Sequence, residues 1–494
     1  KTLLDAVKSV KWYPEAGERR ITGMLQTRPD WCLSRQRHWG TPIPAVHCRA
    51  CGEAILDQMI VERVASRVEQ EGSDVWFARP LETFLPEGYA CRSCGKREFR
   101  KEEDILDVWF DSGVSWQAVL RAREAELGFP ADLYLEGSDQ HRGWFQVSLI
   151  PAVALEDRPP FRAVLTHGFV LDGEGRAMSK SRGNVISPQE IIKQYGADIL
   201  RLWVAAEDYR EDIRLSETTL RQMAEGYRRV RNTLRFLLGN MSDLPKAAAP
   251  MRESMQEIDL WAMHRLQKVI GEVGAAYEAY EFHKAWRAIH QFCAVDLSAF
   301  YFDVLKDRLY TFRPDDPARR AAQATLDAIF SALVRLLAPI IPFTAEEAWG
   351  YRPGVTGRDA PSPSPLLAEF PLSDPAWTDQ ALGERWDRIL EIRGQVWQAV
   401  EQARREQGLG GSLEARVTLR GAVPAADWPA LLIVSEVEIA GGAPGPVTVE
   451  KARGRKCVRC WRWTEDVGRA AEHPELCARC AEVVRAVAGE APHA

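Results

Sequence analysis

Two rhythms of apolar residues divide this chain. Over the first two hundred residues, short β-rich runs such as Leu133-Tyr134-Leu135-Glu136 and Val164-Leu165-Thr166-His167-Gly168-Phe169-Val170 alternate with turn signals and helical stretches. Alternation of that kind predicts an α/β architecture. From about Glu217 the period lengthens. Leu220, Met223, Tyr227, Val230, Leu234 and Leu237 fall three and four apart; Trp286, Ile289, Cys293, Leu297, Phe300 and Val304 keep a similar rhythm, as do Leu326, Ile329, Leu333, Leu337 and Ile340. Those intervals make one face of a helix apolar, so a helical bundle is predicted to follow. Thr344 and Glu347 have capping-box spacing and are expected to restart a helix after Pro342. Arg352 to Pro375, rich in Pro, Gly and Ser, reads as a loop or linker. A helix around Arg385 to Gln407, a Gly-rich turn and alternating strands such as Ala415-Arg416-Val417-Thr418-Leu419 predict a small α+β appendage, and the last forty residues form their own unit around four cysteines. No internal repeat of solenoid period is present.

Composition narrows this picture. At ~150 residues per domain, 494 residues predict three or so domains. Hydrophobic content of 46%, charged content of 27% and 35 Gly with 29 Pro are ordinary for a globular chain and exclude collagen-like, disordered and low-complexity readings. The longest apolar stretch, Ala328 to Phe343, is interrupted by Arg335 and falls short of the ~18 uncharged residues of a membrane span. Net charge of −6 argues against a generally basic nucleic-acid binder and leaves local patches to decide. Of ten cysteines, eight fall into four Cys-x-x-Cys pairs, which favours metal ligation over disulfides and predicts a reducing cytoplasm. The chain opens Lys1-Thr2-Leu3-Leu4 with no charged-then-apolar leader, and is expected to be a piece of something longer.

Four constellations carry candidate chemistry. Cys457-Val-Arg-Cys460 and Cys477-Ala-Arg-Cys480, sixteen residues apart, have the spacing of a four-thiolate structural zinc site; two unrelated buried or redox pairs are the alternative. Around them Lys451, Arg453, Arg455, Lys456, Arg459 and Arg462 put six positive charges in twelve residues with no acid, and Trp461 and Trp463 interleave. Such a patch can grip a phosphate backbone and stack on an unpaired base, or it is a solvated surface with tryptophans packed beside the metal. Cys48-Arg-Ala-Cys51-Gly52 and Cys91-Arg-Ser-Cys94-Gly95 form a second zinc candidate, because Gly after the second Cys lets backbone N–H groups approach the sulfurs. Ala177-Met178-Ser179-Lys180-Ser181-Arg182-Gly183-Asn184 follows a strand ending at Leu171 and a turn at Asp172-Gly173-Glu174-Gly175. A loop with Lys, Arg and hydroxyls at a strand's carboxyl end suits polyphosphate; a surface loop with an incidental lysine is the other reading. Tyr134 to Phe145 takes another strand through a Gly turn into a helix, where carboxylates can hold an ammonium or ribose hydroxyls. His141 fits a helix-start hydrogen-bonder as well as a catalyst.

Taken together, these residues resemble the class I aminoacyl-tRNA synthetases, whose Met-Ser-Lys-Ser signature loop is matched by Met178 to Ser181. Trp31-Cys32-Leu33-Ser34-Arg35-Gln36-Arg37-His38-Trp39-Gly40, Asp107-Val108-Trp109-Phe110-Asp111-Ser112-Gly113, the Glu136-to-Trp144 segment and the Cys-Val-Arg-Cys-Trp terminus narrow the resemblance to the isoleucyl-tRNA synthetases of bacterial type, along essentially the whole chain. The resemblance implies an α/β fold: the second half of a Rossmann-like nucleotide-binding domain with a zinc-knuckle insert, then an α-helical anticodon-binding bundle and a small C-terminal zinc-binding domain. Its expected divisions are 1–30 as the exit from an inserted editing domain, 31–216 as the catalytic half with the insert at about 46–100, 217–375 as the bundle, 376–450 as the appendage and 451–494 as the zinc domain.

The resemblance further implies ATP-dependent activation of isoleucine to isoleucyl-adenylate and transfer to the 3'-terminal adenosine of tRNA(Ile), with Mg²⁺ accompanying ATP. Lys180 would be the catalytic contact to the ATP phosphates, with Met178, Ser179 and Ser181 in the same ATP-binding loop. Glu136 would contact the adenylate, Gly137, Asp139, Gln140 and Trp144 would line that site, and Trp109 would border it. Zinc would sit at Cys457, Cys460, Cys477 and Cys480, and a second at Cys48, Cys51, Cys91 and Cys94. Arg221, Arg228, Arg231 and Arg235 lie off the apolar stripe of the first bundle helix and are available for phosphates. A cytoplasmic monomer with no membrane partner is expected. Two departures stand out: Ala177 replaces the lysine that usually opens the loop, and no His-x-Gly-His type segment precedes Trp31. The chain is therefore expected to be the carboxyl-terminal portion of a larger synthetase, with the amino-terminal half in the same or a separate chain, and not to activate isoleucine alone. A non-catalytic tRNA-binding zinc protein derived from a synthetase is the competing reading; retention of Glu136 and Lys180 favours the first.

Overall fold

The computed structural model describes residues 2–244, 252–352, 362–443 and 445–489, so part of the expected linker after Arg352 lies outside the described residues. Two compact units are present, Lys1–Val170 with Tyr209–Ile213, and Leu171–Asp208 with Arg214–Ala494.

The first unit begins with α1 (Thr2–Lys8), β1 (Lys11–Tyr13) and α2 (Ala16–Gln26), followed by β2 (Ser34–Arg35), β3 (Val46–Cys48), β4 (Ala54–Ile55), α3 (Gln58–Glu71), α4 (Val75–Ala78), β5 (Phe99–Lys101) and β6 (Ile105–Leu106). It continues through α5 (Val108–Gly113) and α6 (Glu124–Leu127) to β7 (Tyr134–Gly137), α7 (Trp144–Glu156) and β8 (Ala163–His167). Strands order β1-β8-β7, all parallel, with Trp12 opposite Val164 and Glu136 opposite Thr166. β8 takes the centre because Ala163, Val164, Leu165 and Thr166 are all buried, the near-continuous burial that a parallel strand covered on both faces requires. α7 is apolar nearly all round and buries Phe145, Val147, Leu149 and Val153. A Cβ on Gly113 would lie 2.3 Å from the carbonyl oxygen of Val147, so only glycine lets α5 come this close to α7.

Lys1 to Pro29, expected as the exit from an inserted domain, supplies an edge strand and two helices of this layer. Val7, Trp12 and Ile21 are buried in one core with Phe145, Leu149 and Val164, because the sheet's apolar face needs covering. The expected insert is a separate small body in which the antiparallel β4-β3-β5 sheet, α3 and α4 enclose Val46, Ile60, Val64, Trp76, Phe84 and Phe99.

The chain continues through β9 (Val170–Leu171) and β10 (Ile213–Arg214), which pair with one another, and between them α8 (Pro188–Tyr195) and α9 (Ala197–Ala206) open the second unit. Long helices follow: α10 (Glu217–Asn240), α11 (Glu257–Glu278), α12 (Phe282–Gln291), α13 (Phe302–Thr311), α14 (Pro317–Leu337), α15 (Pro342–Gly350) and α16 (Gln380–Gln407). The two compact units part near residue 170, since α9 packs into the helical core. Leu202 is buried in that core, and Arg201 donates to the carbonyls of Pro339 and Ile340 at 2.8 and 2.9 Å. Asp198 accepts the N–H and the hydroxyl of Thr344 at 2.7 and 2.6 Å. Thr344 thus sits inside α15, and the expected Thr344–Glu347 capping box does not form; Pro342 sets the helix start and Asp198 satisfies the exposed N–H groups from another helix. Between α12 and α13 the helix continues as a π-helix, Phe292–Tyr301, burying Cys293, Asp296, Leu297, Phe300 and Tyr301.

The appendage, β11 (Ala415–Arg420), α17 (Trp428–Leu432), β12 (Glu436–Ala440) and β13 (Thr448–Lys451), forms the sheet β12-β11-β13. It has no separate core, since Val417, Trp428 and Leu431 bury with Trp261, Phe300 and Trp386 of the bundle. The terminal body, β14 (Arg455–Lys456), β15 (Trp463–Thr464) and α18 (Ala478–Gly489), closes around four cysteines.

Deep in the bundle, Asp259 is fully buried. It takes a two-pronged pair from Arg308 at 2.7 and 2.8 Å and the hydroxyl of Tyr301 at 2.8 Å. Asp259→Ala leaves Arg308 buried and uncompensated, and is expected to lower the unfolding free energy by ~3–5 kcal/mol; urea denaturation followed by tryptophan fluorescence tests this, and a loss under ~1 kcal/mol would contradict it.

Candidate active site and metal centres

β7 ends at Gly137, and the chain turns through a 3-10 helix, Ser138–His141, into α7. Glu136 is exposed at that carboxyl end. A Cβ on Gly137 would lie 2.6 Å from the Asp139 carboxylate, so a side chain there would displace that carboxylate from its present position. Gln140 donates to Asp139 at 3.0 Å and accepts the N–H of Trp144 at 3.0 Å, so the pair is prearranged at the start of α7. Asp139, Gln140 and Trp109 share a cavity of about 290 Å³ with Arg28, Trp31 and Arg142. Glu136, Gly137 and Trp144 are not among its lining residues. Trp144 stacks on Tyr134 with ring centres 4.0 Å apart and sends its indole N–H to the Ser112 carbonyl at 3.2 Å, so its evident part is packing. His141 resolves as structural: it is buried, stacks on Trp12, bonds the Ser138 carbonyl through Nδ1 at 2.8 Å, and burial holds its pKa below the usual value.

Motif reading missed Arg28, whose guanidinium lies over the Trp31 ring at 5.2 Å and bonds Gln146. It also missed the reason for the Asp107–Gly113 segment. Asp107 accepts the indole N–H of Trp31 and the backbone N–H of Trp109, both at 3.0 Å, and pairs with Arg35. One buried carboxylate thereby fixes two tryptophans of the cavity wall.

The signature loop lies in the other unit. Asp172 is its anchor, accepting the N–H groups of Glu174 and Arg176, the Arg176 side chain and the Asn184 amide at 2.8 to 3.0 Å. The Asn184 amide leads the donors that hold the Asp172 carboxyl well below the usual carboxylate range. Asn184 in turn accepts the Ser179 N–H at 2.9 Å, so the two ends of the loop are tied to one another. Lys180 opens a single 3-10 turn that ends at Gly183 in left-handed conformation, φ +67°. Its ammonium is exposed and has no partner among the described residues. Arg176 does not stand in for the charge lacking at Ala177, because Asp172 and Glu174 hold it at 3.0 and 2.9 Å.

Both cysteine clusters bring their four sulfurs within 4.8 Å of one another. Four thiolates ~2.3 Å from a tetrahedral zinc stand ~3.8 Å apart, and the sulfur pairs Cys48–Cys94, Cys51–Cys91 and Cys460–Cys477 are 3.6, 3.7 and 3.8 Å apart. The donor sets therefore fit zinc, and the spacing is far too long for disulfides. The acidities are split as in thiols that share protons: the N–H of Cys51 draws Cys48 down to about 7, and the hydrogen bond with Cys480 pushes Cys460 up to about 12. Gly52 and Gly95 follow their second cysteines at φ +77° and +71°. Trp461 occupies the same place in the terminal cluster at φ +64°, and the residue is 60% exposed.

The basic patch is only partly free. Arg479 pairs with Asp307 of α13 through two bonds of 2.8 Å, Arg462 approaches the same carboxylate at 3.6 Å, and Arg459 donates to the Thr311 carbonyl. Arg455 donates to the Val467 carbonyl. Lys451, Arg453 and Lys456 are left exposed, with Lys456 over the Trp461 ring at 5.6 Å. Of the bundle arginines, Arg221 and Arg228 pair with Glu217 and Glu225 of their own helix at 2.7 and 2.5 Å.

Residues 1–216 match the family described as tRNA synthetases class I (I, L, M and V), residues 259–419 the anticodon-binding domain of tRNA ligase, and residues 454–483 the zinc finger found in FPG and IleRS. The chain is 48% identical over 501 aligned positions to the isoleucine–tRNA ligase of Syntrophotalea carbinolica, covering 97% of this chain and 53% of the relative. To that of Moorella thermoacetica it is 49% identical over 508 positions, covering 98% and 54%. The first 216 residues thus match the class I tRNA synthetases, and the chain is similar to isoleucine–tRNA ligases along nearly its whole length. It spans about half the length of the curated relatives it matches. The ternary complex of Agrobacterium radiobacter K84 LeuRS with tRNA and LeuAMS shares the fold, with a TM-score of 0.53 at 21% identity over 81% of this chain and 46% of that one. The synthetase match includes Lys1 to Pro29, in agreement with their place in the sheet. Among the described residues no helix is long and apolar enough to cross a membrane.

The tie across this synthetase loop is testable. Asn184→Ala removes the bonds to Asp172 and Ser179, worth ~1–3 kcal/mol together, so local opening is expected to rise roughly ten- to hundredfold. Trypsin cleavage after Lys180 and Arg182 under native conditions should accelerate accordingly; an unchanged rate would show that the tie does not hold the loop.

Proposed function

We propose that the chain carries the signature-loop half of an isoleucine–tRNA ligase together with its tRNA-binding parts. The observation that carries this reading is the identity of nearly one half to isoleucine–tRNA ligases along 97% of the chain. In the proposed reaction the isoleucine carboxylate attacks the α-phosphorus of ATP and pyrophosphate leaves. The ribose hydroxyl of the terminal tRNA adenosine then attacks the carbonyl of the mixed anhydride, forming the ester and releasing AMP. No protein nucleophile is needed; positioning and charge compensation are the protein's tasks.

Lys180 is assigned the ATP phosphates, where an ammonium on a tied loop offsets charge without reorganising. Met178, Ser179 and Ser181 are assigned to the same loop, and Mg²⁺, bound with ATP, supplies further positive charge. Glu136 is assigned to the adenylate, with Asp139, Gln140 and Trp109 walling the cavity beside it and Gly137 and Trp144 shaping the turn and its support. Zinc is proposed at both cysteine clusters, holding their knuckles closed. The helices from α10 to α15 and the terminal body are proposed to engage tRNA(Ile), with the exposed Trp461 ring offering a stacking face to an unpaired base. A cytoplasmic monomer fits this reading, as does weaker pyrophosphate-side compensation at Ala177.

Isoleucine-dependent ATP/pyrophosphate exchange tests it, on the chain alone and with a separately produced polypeptide corresponding to the other half of the relatives' length. Exchange is expected only with both, and Lys180→Ala should reduce it about a hundredfold or more. Tight tRNA binding with no exchange in either case would favour a non-catalytic tRNA-binding protein. Elemental analysis is expected to find two zinc ions per chain, one for each cluster, and Cys460→Ser should remove one of them; a metal-free chain of native stability would refute the zinc assignment.

A further inference from the structure

α10 lies between the two matched family stretches, which end at 216 and resume at 259. With α15 it walls a cleft of about 590 Å³. The floor is apolar, formed by Leu234, Leu238 and Ala348, while Arg231 and Arg235 stand on α10 one helical turn apart and Tyr351, 72% exposed, closes the rim. Arg235 has no hydrogen-bond or ion-pair partner among the described residues. Arg231 meets Glu347, which also lines the cleft, at 3.9 Å with both side chains about half exposed; an exposed pair of this kind is worth little, so a phosphate can compete with the carboxylate for the guanidinium. Residues four apart on a helix have Cβ atoms ~6 Å from each other, so both guanidinium groups can reach successive phosphates of one strand. An aromatic ring beside an apolar floor offers what a nucleobase needs and an isolated anion would leave unused. Clefts of ~300–1,000 Å³ are of ligand size.

We propose that this cleft takes one unpaired nucleotide of a folded RNA. The base rests on Leu234, Leu238 and Ala348 against the Tyr351 ring, and the phosphates on either side of it meet Arg231 and Arg235. The proposal rests on the reading that the chain binds tRNA. It adds a site outside the anticodon-binding match on one wall.

Gly239 gives a handle independent of charge. It lines the cleft, is helical, and a Cβ built on it meets nothing within 4 Å, so a side chain can start there unhindered, and Gly239→Leu adds bulk on the cleft wall while raising helix propensity. Binding of a transcribed tRNA(Ile) to the full chain would be measured by filter binding between about 50 and 200 mM KCl. Arg235→Ala is expected to weaken binding and to reduce the slope of log affinity against log salt by about one. Tyr351→Ala should weaken it about tenfold with the slope unchanged, and Tyr351→Phe should bind like the parent. Gly239→Leu should weaken binding without lowering the melting temperature. If Arg235→Ala alone has an effect, or none of the variants does, while the parent binds, the nucleotide cleft is refuted and tRNA binding stands. A parent chain that does not bind tRNA overturns both.

Discussion

One turn of α13 carries the constraint on which much of the second unit depends. Asp307 and Arg308 are adjacent and point in opposite directions. Arg308 turns inward to the fully buried Asp259, whereas Asp307 turns outward to Arg479 of the terminal body. Burial alone would raise the Asp307 pKa, yet the arginines keep it below the usual carboxylate range. The two pairs use the same rigid backbone, so the helix that completes the bundle also seats the cysteine cluster. Arg459 strengthens the link, since its guanidinium reaches both the Thr311 carbonyl and the Cys480 sulfur.

The same device recurs wherever the chain leaves regular structure. Asp107 organises the entrance to α5, Asp172 the signature loop and Asp198 the start of α15, each accepting several donors from segments that cannot satisfy one another. Loops and helix starts expose backbone N–H groups, and a buried carboxylate is the strongest acceptor available to them. A share of the acidic excess is therefore internal scaffolding, and net charge says little about the surfaces offered to a polyanion.

The sequence made the large divisions legible because they rest on periodicity. Helical spacing located α10, α14 and α16, and Cys-x-x-Cys spacing located both clusters. What escaped it depends on partners far along the chain. Thr344 and Glu347 satisfied a local capping rule, but Asp198 supplied a better acceptor from 146 residues away. Arg459 and Arg462 read as free cations because their acceptors lie on α13. The four-residue steps Ile289, Cys293 and Leu297 suit an α-helix and the wider turns of a π-helix equally, so periodicity could not separate them. At the site, Asp139 and Gln140 were visible as a motif, whereas Arg28 became visible only through its contact with Trp31.

Trp461 holds a backbone position that glycine fills in both knuckles of the other cluster. A non-glycine residue there costs ~1–2 kcal/mol, so the terminal knuckle closes less readily than its counterparts and needs the thiolate centre more. In exchange, the indole leaves the chain in a direction set by the knuckle instead of by side-chain freedom. A ring oriented in advance gives up little entropy when a flat partner arrives. The metal centre would then act at a distance, as the mould that keeps an aromatic surface facing outward.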